Sequence, residues 1–538
     1  MKKSAKLLFS SVVAVSLIGG GTGASAASIA KDGLRNSSGQ IMMDITTYAG
    51  LGDDGSHDDA NRLQATFRSP FGLLVRKDGT LLVSDRSNHL LRSISGSQVS
   101  SMAGMIIGKD NKGFPIGGRY DDIAARSVFQ QPAGLAQDAQ GNLYVADAGN
   151  NAIRKIDASG KVVTLAGNGL IGNKDAKGTE ATFNQPQDVA VGADGNVYVA
   201  DTLNHVIRKV AADGTVTTLN APSKRVVEVT PGQAVWSGDY LDGDIANAKF
   251  NEPTGLAIDS KGNLYVSDSG NQRIRYIDFG TGKVTTVAGG TAVGEPLYSK
   301  TSLYADAGYE DGDALKARFN YPLGIASTPE GGLLIADSMN HSIRYLYDGK
   351  VVTLAGDTAL AAGEADGIER SAQFHKPTDV AVADDGTVYI ADAFNNKIRQ
   401  LQLYKLPADL PKDDHVKVVL ESTVLAFEAQ PEIVNDRTMV PVRAVTEALG
   451  YQVSYDELNR SVQLTKGGVT VELYVDKTGL KKREQGKPEM AIDTDTAPYI
   501  KQDLTFVPVR FFAEEIGLDV QWDESTRSVL LRTKQRNK

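Results

Sequence analysis

A mainly β fold of radially repeated sheets is what the sequence predicts: a six-bladed β-propeller closed by an N-terminal strand, with a small duplicated α+β domain after it. Three observations carry this. The stretch LYVADAGNNAIRKI at 143–156 returns as LLVSDRSNHLLRSI, VYVADTLNHVIRKV, LYVSDSGNQRIRYI, LLIADSMNHSIRYL and VYIADAFNNKIRQL. Each copy follows a Phe-x-x-Pro start, and five of the six run on into a strand ending in TLAG or a close variant. From residue 416 a different pattern takes over, and it too is doubled.

Taken in chain order, Lys2, Lys3 and Lys6 precede the apolar run Leu7 to Ile18 and the small residues Ala24-Ser25-Ala26. This reads as a secretory signal peptide over 1–26. Its apolar run of 12 residues is too short to span a bilayer. Removing it moves the formal charge from -9 to -12, an acidity unsuited to nucleic acid. The chain contains no cysteine, so its stability has to come from buried apolar surface. A secreted, monomeric protein without a transmembrane segment is the expectation.

The repeats begin at Phe67, Phe129, Phe183, Phe250, Phe319 and Phe374, each followed three residues on by proline. From phenylalanine to the end of the TLAG-like strand, five of them span 38 to 40 residues. That length holds four short strands, the content of one propeller blade. The sixth stops at Tyr404 without its last strand, whereas IMMDITTYAG at 41–50 stands before the first repeat in the phase of the missing piece. The N-terminal strand is therefore expected to complete the sixth blade and close the ring, which removes an open edge. The pattern resembles the NHL repeat family, whose name is spelled by Asn88-His89-Leu90, over 41–404. The resemblance implies a six-bladed propeller of four-stranded blades.

Within such a blade the second-to-third turn and the crossing to the next blade share one face. The crossings are long, 15 to 29 residues, as loops that carry function often are. They hold Trp236, Tyr240, Tyr304 and Tyr309, candidates for sugar or peptide recognition, although short helices capped by Asp242, Asp244, Asp311 and Asp313 would also account for these inserts. The repeated turn supplies Asp85, Asp147, Asp201, Asp268, Asp337 and Asp392, with Arg92, Arg154, Arg208, Arg275, Arg344 and Arg399 seven residues on. Six copies argue for structure: the acid holds the turn and the arginine pairs with an acid nearby.

At the axis, where propeller enzymes place their chemistry, four blades carry glycine two residues past the repeat proline, and two carry Asp188 and Asp379. Being three blades apart, these acids should face each other as a candidate ligand or metal site. Two carboxylates fall short of the six to eight oxygens calcium takes and of the three protein ligands of catalytic zinc. No cofactor is expected.

After the linker at 405–415, RTMVPVRAVTEALGYQVSYDELNRSVQL is echoed by LTFVPVRFFAEEIGLDVQWDESTRSVLL, with Arg443 and Arg510, and Tyr455 and Trp522, each 67 residues apart. The segment 416–533 resembles the copper amine oxidase N-terminal-like stalk domain of secreted Gram-positive proteins. The resemblance implies no copper here, since 416–538 has neither histidine nor cysteine. Arg443 and Arg510 could hold an anionic ligand such as a wall polymer, but their place directly before a helix favours pairing with acids of their own domain. The whole reads as a secreted, non-catalytic binding or scaffold protein for a protein or glycan of the cell envelope, near which the C-terminal domain holds it. The alternative is a hydrolase or lyase acting on a sugar or lactone at the channel.

Overall fold

The computed structural model describes residues 28–290, 297–299 and 301–536, so the signal-peptide reading of 1–26 lies outside the described residues. The chain is mainly β, as its repeats of alternating apolar residues dictate. The first repeat shows the plan. Pro70–Val75, Leu81–Asp85, Leu90–Ser95 and Gln98–Ala103 form one antiparallel sheet in sequence order. Five further sheets follow, with inner strands Pro132–Gln137, Pro186–Val191, Pro253–Ile258, Pro322–Ser327 and Pro377–Val382. Each inner strand touches the next, and the sixth touches the first.

The sixth sheet is a composite. Its third strand, Lys397–Leu403, pairs with Met43–Ala49 from the N-terminal region, with Ile45 opposite Leu401. Thr47 hydrogen-bonds Asp366 there, as Ser101, Thr164, Thr218, Thr286 and Thr353 bond the matching acids of the other five sheets. The sheet then continues through Asp366–Ile368 to Gln535–Arg536 at the far end of the chain.

Between neighbouring sheets lie apolar layers that alternate side chains from both; Ala181, Phe183 and Val199, for example, pack with Ala133 and Ala146 of the preceding sheet. In the C-terminal region, Arg437–Pro441 pairs antiparallel with its duplicate Leu504–Pro508, each strand running into a short helix, Val442–Ala448 and Val509–Glu515. Val440, Val445, Val507, Ala513 and Leu531 form the shared core.

This region is docked on the sixth sheet. Arg532, fully buried, bonds Glu369 through both terminal nitrogens at 2.8 and 3.0 Å. Glu369 also accepts from the Met43 amide, and Arg536 reaches Asp44. Around these lies a small apolar cluster of Met42, Tyr404, Val419 and Leu530, against which Leu406 and Leu410 pack.

Candidate binding face and axial channel

The recurrent motif builds one network six times. Asp85 accepts the Arg68 amide through one oxygen, and the Asn88 side chain and Arg92 through the other. The equivalent buried Asp–Arg pairs lie at 2.6–2.9 Å in every sheet. The second arm of each guanidinium meets an insert acid, Asp58, Asp121, Asp175, Asp242, Asp311 or Asp366, at 2.5–2.7 Å. The repeat phenylalanine forms the floor, its ring centroid 4.9–5.2 Å from the guanidinium carbon. Six fully buried arginines are thus each held by two carboxylates and an aromatic face, which is how a charge is kept out of water.

Two sequence expectations change here. Asp242 and Asp311 are arginine partners rather than helix caps, and Asp244 precedes a short helical turn, Ile245–Asn247, without a side-chain capping bond. Tyr240 and Tyr309 lie under Arg275 and Arg344, with their hydroxyls on Thr286 and Thr353, so both belong to this network. A Tyr-x-Asp spacing shared by the two inserts was the sequence signal for it.

The other two aromatics stay near solvent. Trp236 is 73% exposed on the hairpin Arg225–Thr230/Gln233–Ser237. Arg225 anchors that hairpin through the carbonyls of Ser302 and Leu303 and the ring of Tyr298. Tyr304 and Tyr321 both donate their hydroxyls to Glu252, and their rings meet edge to face.

Glu252 belongs to a ring of six residues, with Ser69, Gln131, Gln185, Tyr321 and Lys376, each just before the proline that starts an inner strand. All six adopt positive φ, 48° to 55°. The strain is held from the preceding sheet, where the residue after the turn asparagine accepts the amide: Asn396 from Ser69, His89 from Gln131, Asn151 from Gln185, His205 from Glu252, Gln272 from Tyr321, His341 from Lys376. The histidines accept through Nδ1, so they act in the neutral form. Burial lowers all three pKa values, that of His205 to about 4.

At the axis Asp188 and Asp379 line one cavity of about 10 Å³ together with Phe71, Gln187, Thr254, Leu323 and Thr378. Such a space admits one water at most. Asp188 accepts the amides of Val189 and Leu256, and Asp379 those of Val380 and Leu73, so each acid ties its own sheet to the next. On the other side each lies against the glycine of the preceding sheet: a Cβ on Gly134 would stand 1.8 Å from Asp188, and one on Gly324 2.0 Å from Asp379. Glycine, glycine, aspartate therefore occurs twice around the ring. Burial raises both carboxyls above the ordinary range, and the charge of Asp379 raises Asp188 further. Among the described residues no cluster of three or more metal-ligating side chains is found.

Above this cavity, at the mouth on the insert side, Arg86 lies over the ring of Phe71 at 4.3 Å and donates to Gln187 of the third sheet at 2.7 Å. Burial lowers its pKa to about 10. Sequence reasoning passed over Arg86 because the other sheets carry Ala148, Thr202, Ser269, Ser338 and Ala393 there. That departure was the available signal. In the C-terminal region Arg443 lies 3.7 Å from Glu447 on an exposed helix turn, and Arg510 lines a cleft of about 370 Å³ with Trp522.

Family models match the chain in two places: NHL repeat at 129–156, 183–209, 250–275 and 319–344, and copper amine oxidase N-terminal domain at 419–531. The chain carries both. Among curated proteins, it is 32% identical over 303 residues to Protein SUPPRESSOR OF QUENCHING 1, chloroplastic, of Arabidopsis thaliana, covering 54% of this chain and 26% of that protein. It is 28% identical over 390 residues to human NHL repeat-containing protein 2, covering 66% and 51%. The chain thus spans between about a quarter and about half the length of these curated relatives. Among solved structures, an auxiliary nutrient binding protein from Bacteroides thetaiotaomicron aligns over 68% of this chain and 76% of that one, at 16% identity and a TM-score of 0.47. A virginiamycin B lyase from Staphylococcus aureus aligns over 67% and 99%, at 12% identity and a TM-score of 0.39. The residues matched as NHL repeats include the Asp–Arg pairs of four of the sheets.

Proposed function

We propose that this protein is a secreted, non-catalytic binding scaffold: a six-bladed NHL propeller over 41–404 that presents its insert face to a protein or glycan of the cell envelope. A linker at 405–415 joins it to the copper amine oxidase N-terminal-like domain over 416–533, which holds it in place. The observation that carries this reading is the axis. Its cavity of about 10 Å³ has no room for a substrate, and four carboxylate oxygens there are already occupied by backbone amides. The insert face, by contrast, offers exposed Trp236, half-exposed Tyr304 and the ring of pre-proline side chains.

The test uses the full chain, incubated with washed cell-wall preparations and, separately, with lactone and glycoside substrates. Pelleting with the walls and no turnover is expected. Turnover abolished by Asp188→Asn or Asp379→Asn would replace this reading with a hydrolase or lyase at the channel.

A further inference from the structure

The insert-side mouth is electrically lopsided. On the adjoining first and sixth sheets stand three cations, Arg68, Arg86 and Lys376, and among the described residues none has a carboxylate within 4.0 Å. Each rests on an aromatic ring instead: Arg86 on Phe71 at 4.3 Å, Arg68 on Phe114 at 4.9 Å, and Lys376 on Phe394 at 4.6 Å. This contrasts with the six motif arginines, every one of which is held by two acids. The Nε and Nη1 of Arg68 are buried without any hydrogen-bond partner, and Arg86 spends one nitrogen on the neutral amide of Gln187. Buried guanidinium donors without acceptors are costly, and native proteins satisfy them with a water, an ion or a ligand.

The three positions are linked through the backbone. The Ser87 amide, next to Arg86, donates to the Arg68 carbonyl, and Thr378, two residues past Lys376, donates to the carbonyl of Phe71. The narrow cavity below is lined by Phe71, Leu323, Thr254 and Gln187 and by Asp188 and Asp379, whose oxygens already accept backbone amides.

From this juxtaposition we infer that the channel mouth is a binding site for a ligand bearing an oxyanion, carboxylate or phosphate, with Arg86, held on the Phe71 ring, as its principal donor and Arg68 and Lys376 adding charge. A guanidinium presents parallel N–H groups that match either oxyanion in two-pronged fashion. This rests on the binding reading above and names the chemistry of the ligand within it.

The experiment titrates the full chain with four probes, followed by calorimetry and by the arginine Nε–H resonances: inorganic phosphate, phenylphosphate, phenylacetate and neutral benzyl alcohol. Saturable binding of an anionic probe with a shift of the Arg86 resonance is expected, and none of benzyl alcohol. Phenylphosphate binding without phenylacetate would assign phosphate, and the reverse would assign carboxylate. Arg86→Gln should weaken binding about tenfold or more, the loss of one charge-assisted contact, with Arg86→Lys intermediate. Lys376→Gln, on the sixth sheet, keeps the test alive if the Arg86 variants fold poorly, and should weaken binding several-fold. Failure of every anionic probe, or binding unchanged in both Arg86→Gln and Lys376→Gln, overturns the proposal. If the chain still pellets with walls in that case, only the oxyanion assignment falls and the scaffold reading stands.

Discussion

Arg532 and Glu369, 163 residues apart, form a two-pronged ion pair at 2.8 and 3.0 Å from which water is excluded. Glu369 sits in the insert before the sixth inner strand, and Arg532 on the last long strand of the chain. Because the carboxylate also takes the Met43 amide, one side chain joins the closing strand, the sixth sheet and the C-terminal domain.

Replacing Glu369 by glutamine leaves a buried guanidinium with Asp519 at 3.2 Å as its remaining acid. Breaking a buried pair from one side costs about 3–5 kcal/mol. We expect Glu369→Gln to lower the unfolding free energy by that order, to split a single thermal transition into two, and to expose the 405–415 segment to protease. A single transition with unaltered cleavage would show that the two regions are not energetically coupled through this pair.

Acid should destabilise the ring in a defined window. His205 accepts the Glu252 amide as neutral imidazole, and its folded pKa is about 4 against an ordinary value of 6.5. Because the folded value is the lower one, its contribution is complete above pH 6.5 and is lost as pH falls from there toward 4. At one pKa unit per 1.36 kcal/mol, the loss is about 3 kcal/mol at most. Asn151 and Asn396 perform the same task in other sheets with a group that does not titrate. His205→Asn is therefore expected to fold and to flatten the dependence of Tm on pH between about 6.5 and 4.

The glycines at the axis are predicted to be intolerant for a reason unrelated to backbone freedom. Gly134→Ala would drive a methyl group to 1.8 Å from the Asp188 carboxylate, in a seam where both neighbours are fixed by hydrogen bonds. Gly79→Ala, at φ +81° on an open hairpin turn with nothing within 4 Å, should cost only about 1–2 kcal/mol. Chemical denaturation of the two variants should rank them clearly, with Gly134→Ala the worse. Equal losses would mean the seam can open.

Arg208→Lys tests the repeated network. Lysine retains the charge but cannot span Asp201, Asp175 and the carbonyls of Thr182 and Lys174 at once, all of which Arg208 reaches. A loss of about 3 kcal/mol or more is expected by thermal unfolding, with the Phe183 packing layer retained in the structure of the variant.

Much of the fold was legible because its signals are local and repeated. The Phe-x-x-Pro start, the Asp–Asn–Arg turn and the phase of IMMDITTYAG lie in short windows, and six copies separate them from chance. The second arginine partner was harder to see, since Asp58 or Asp121 precedes its arginine by 33 or 34 residues inside an insert of variable length. Tyr240 and Tyr309 looked like surface aromatics because a sequence gives no sign of a guanidinium overhead. Arg86, Lys376 and the docking pair Arg532–Glu369 occur once each, and a residue that breaks a repeat is visible only when the copies are compared for their differences.

The composite sixth sheet has a temporal meaning. Its strands come from residues 43–49, 366–368, 377–403 and 535–536, so the chain must extend to residue 403 before the ring can close and to residue 536 before the sheet is complete. Five sheets can form in turn as the polypeptide emerges, while Met43–Ala49 waits for partners more than three hundred residues away. Completion of the ring is thus a late event by construction, and until it occurs the first strand is an unpaired edge that other chains could capture.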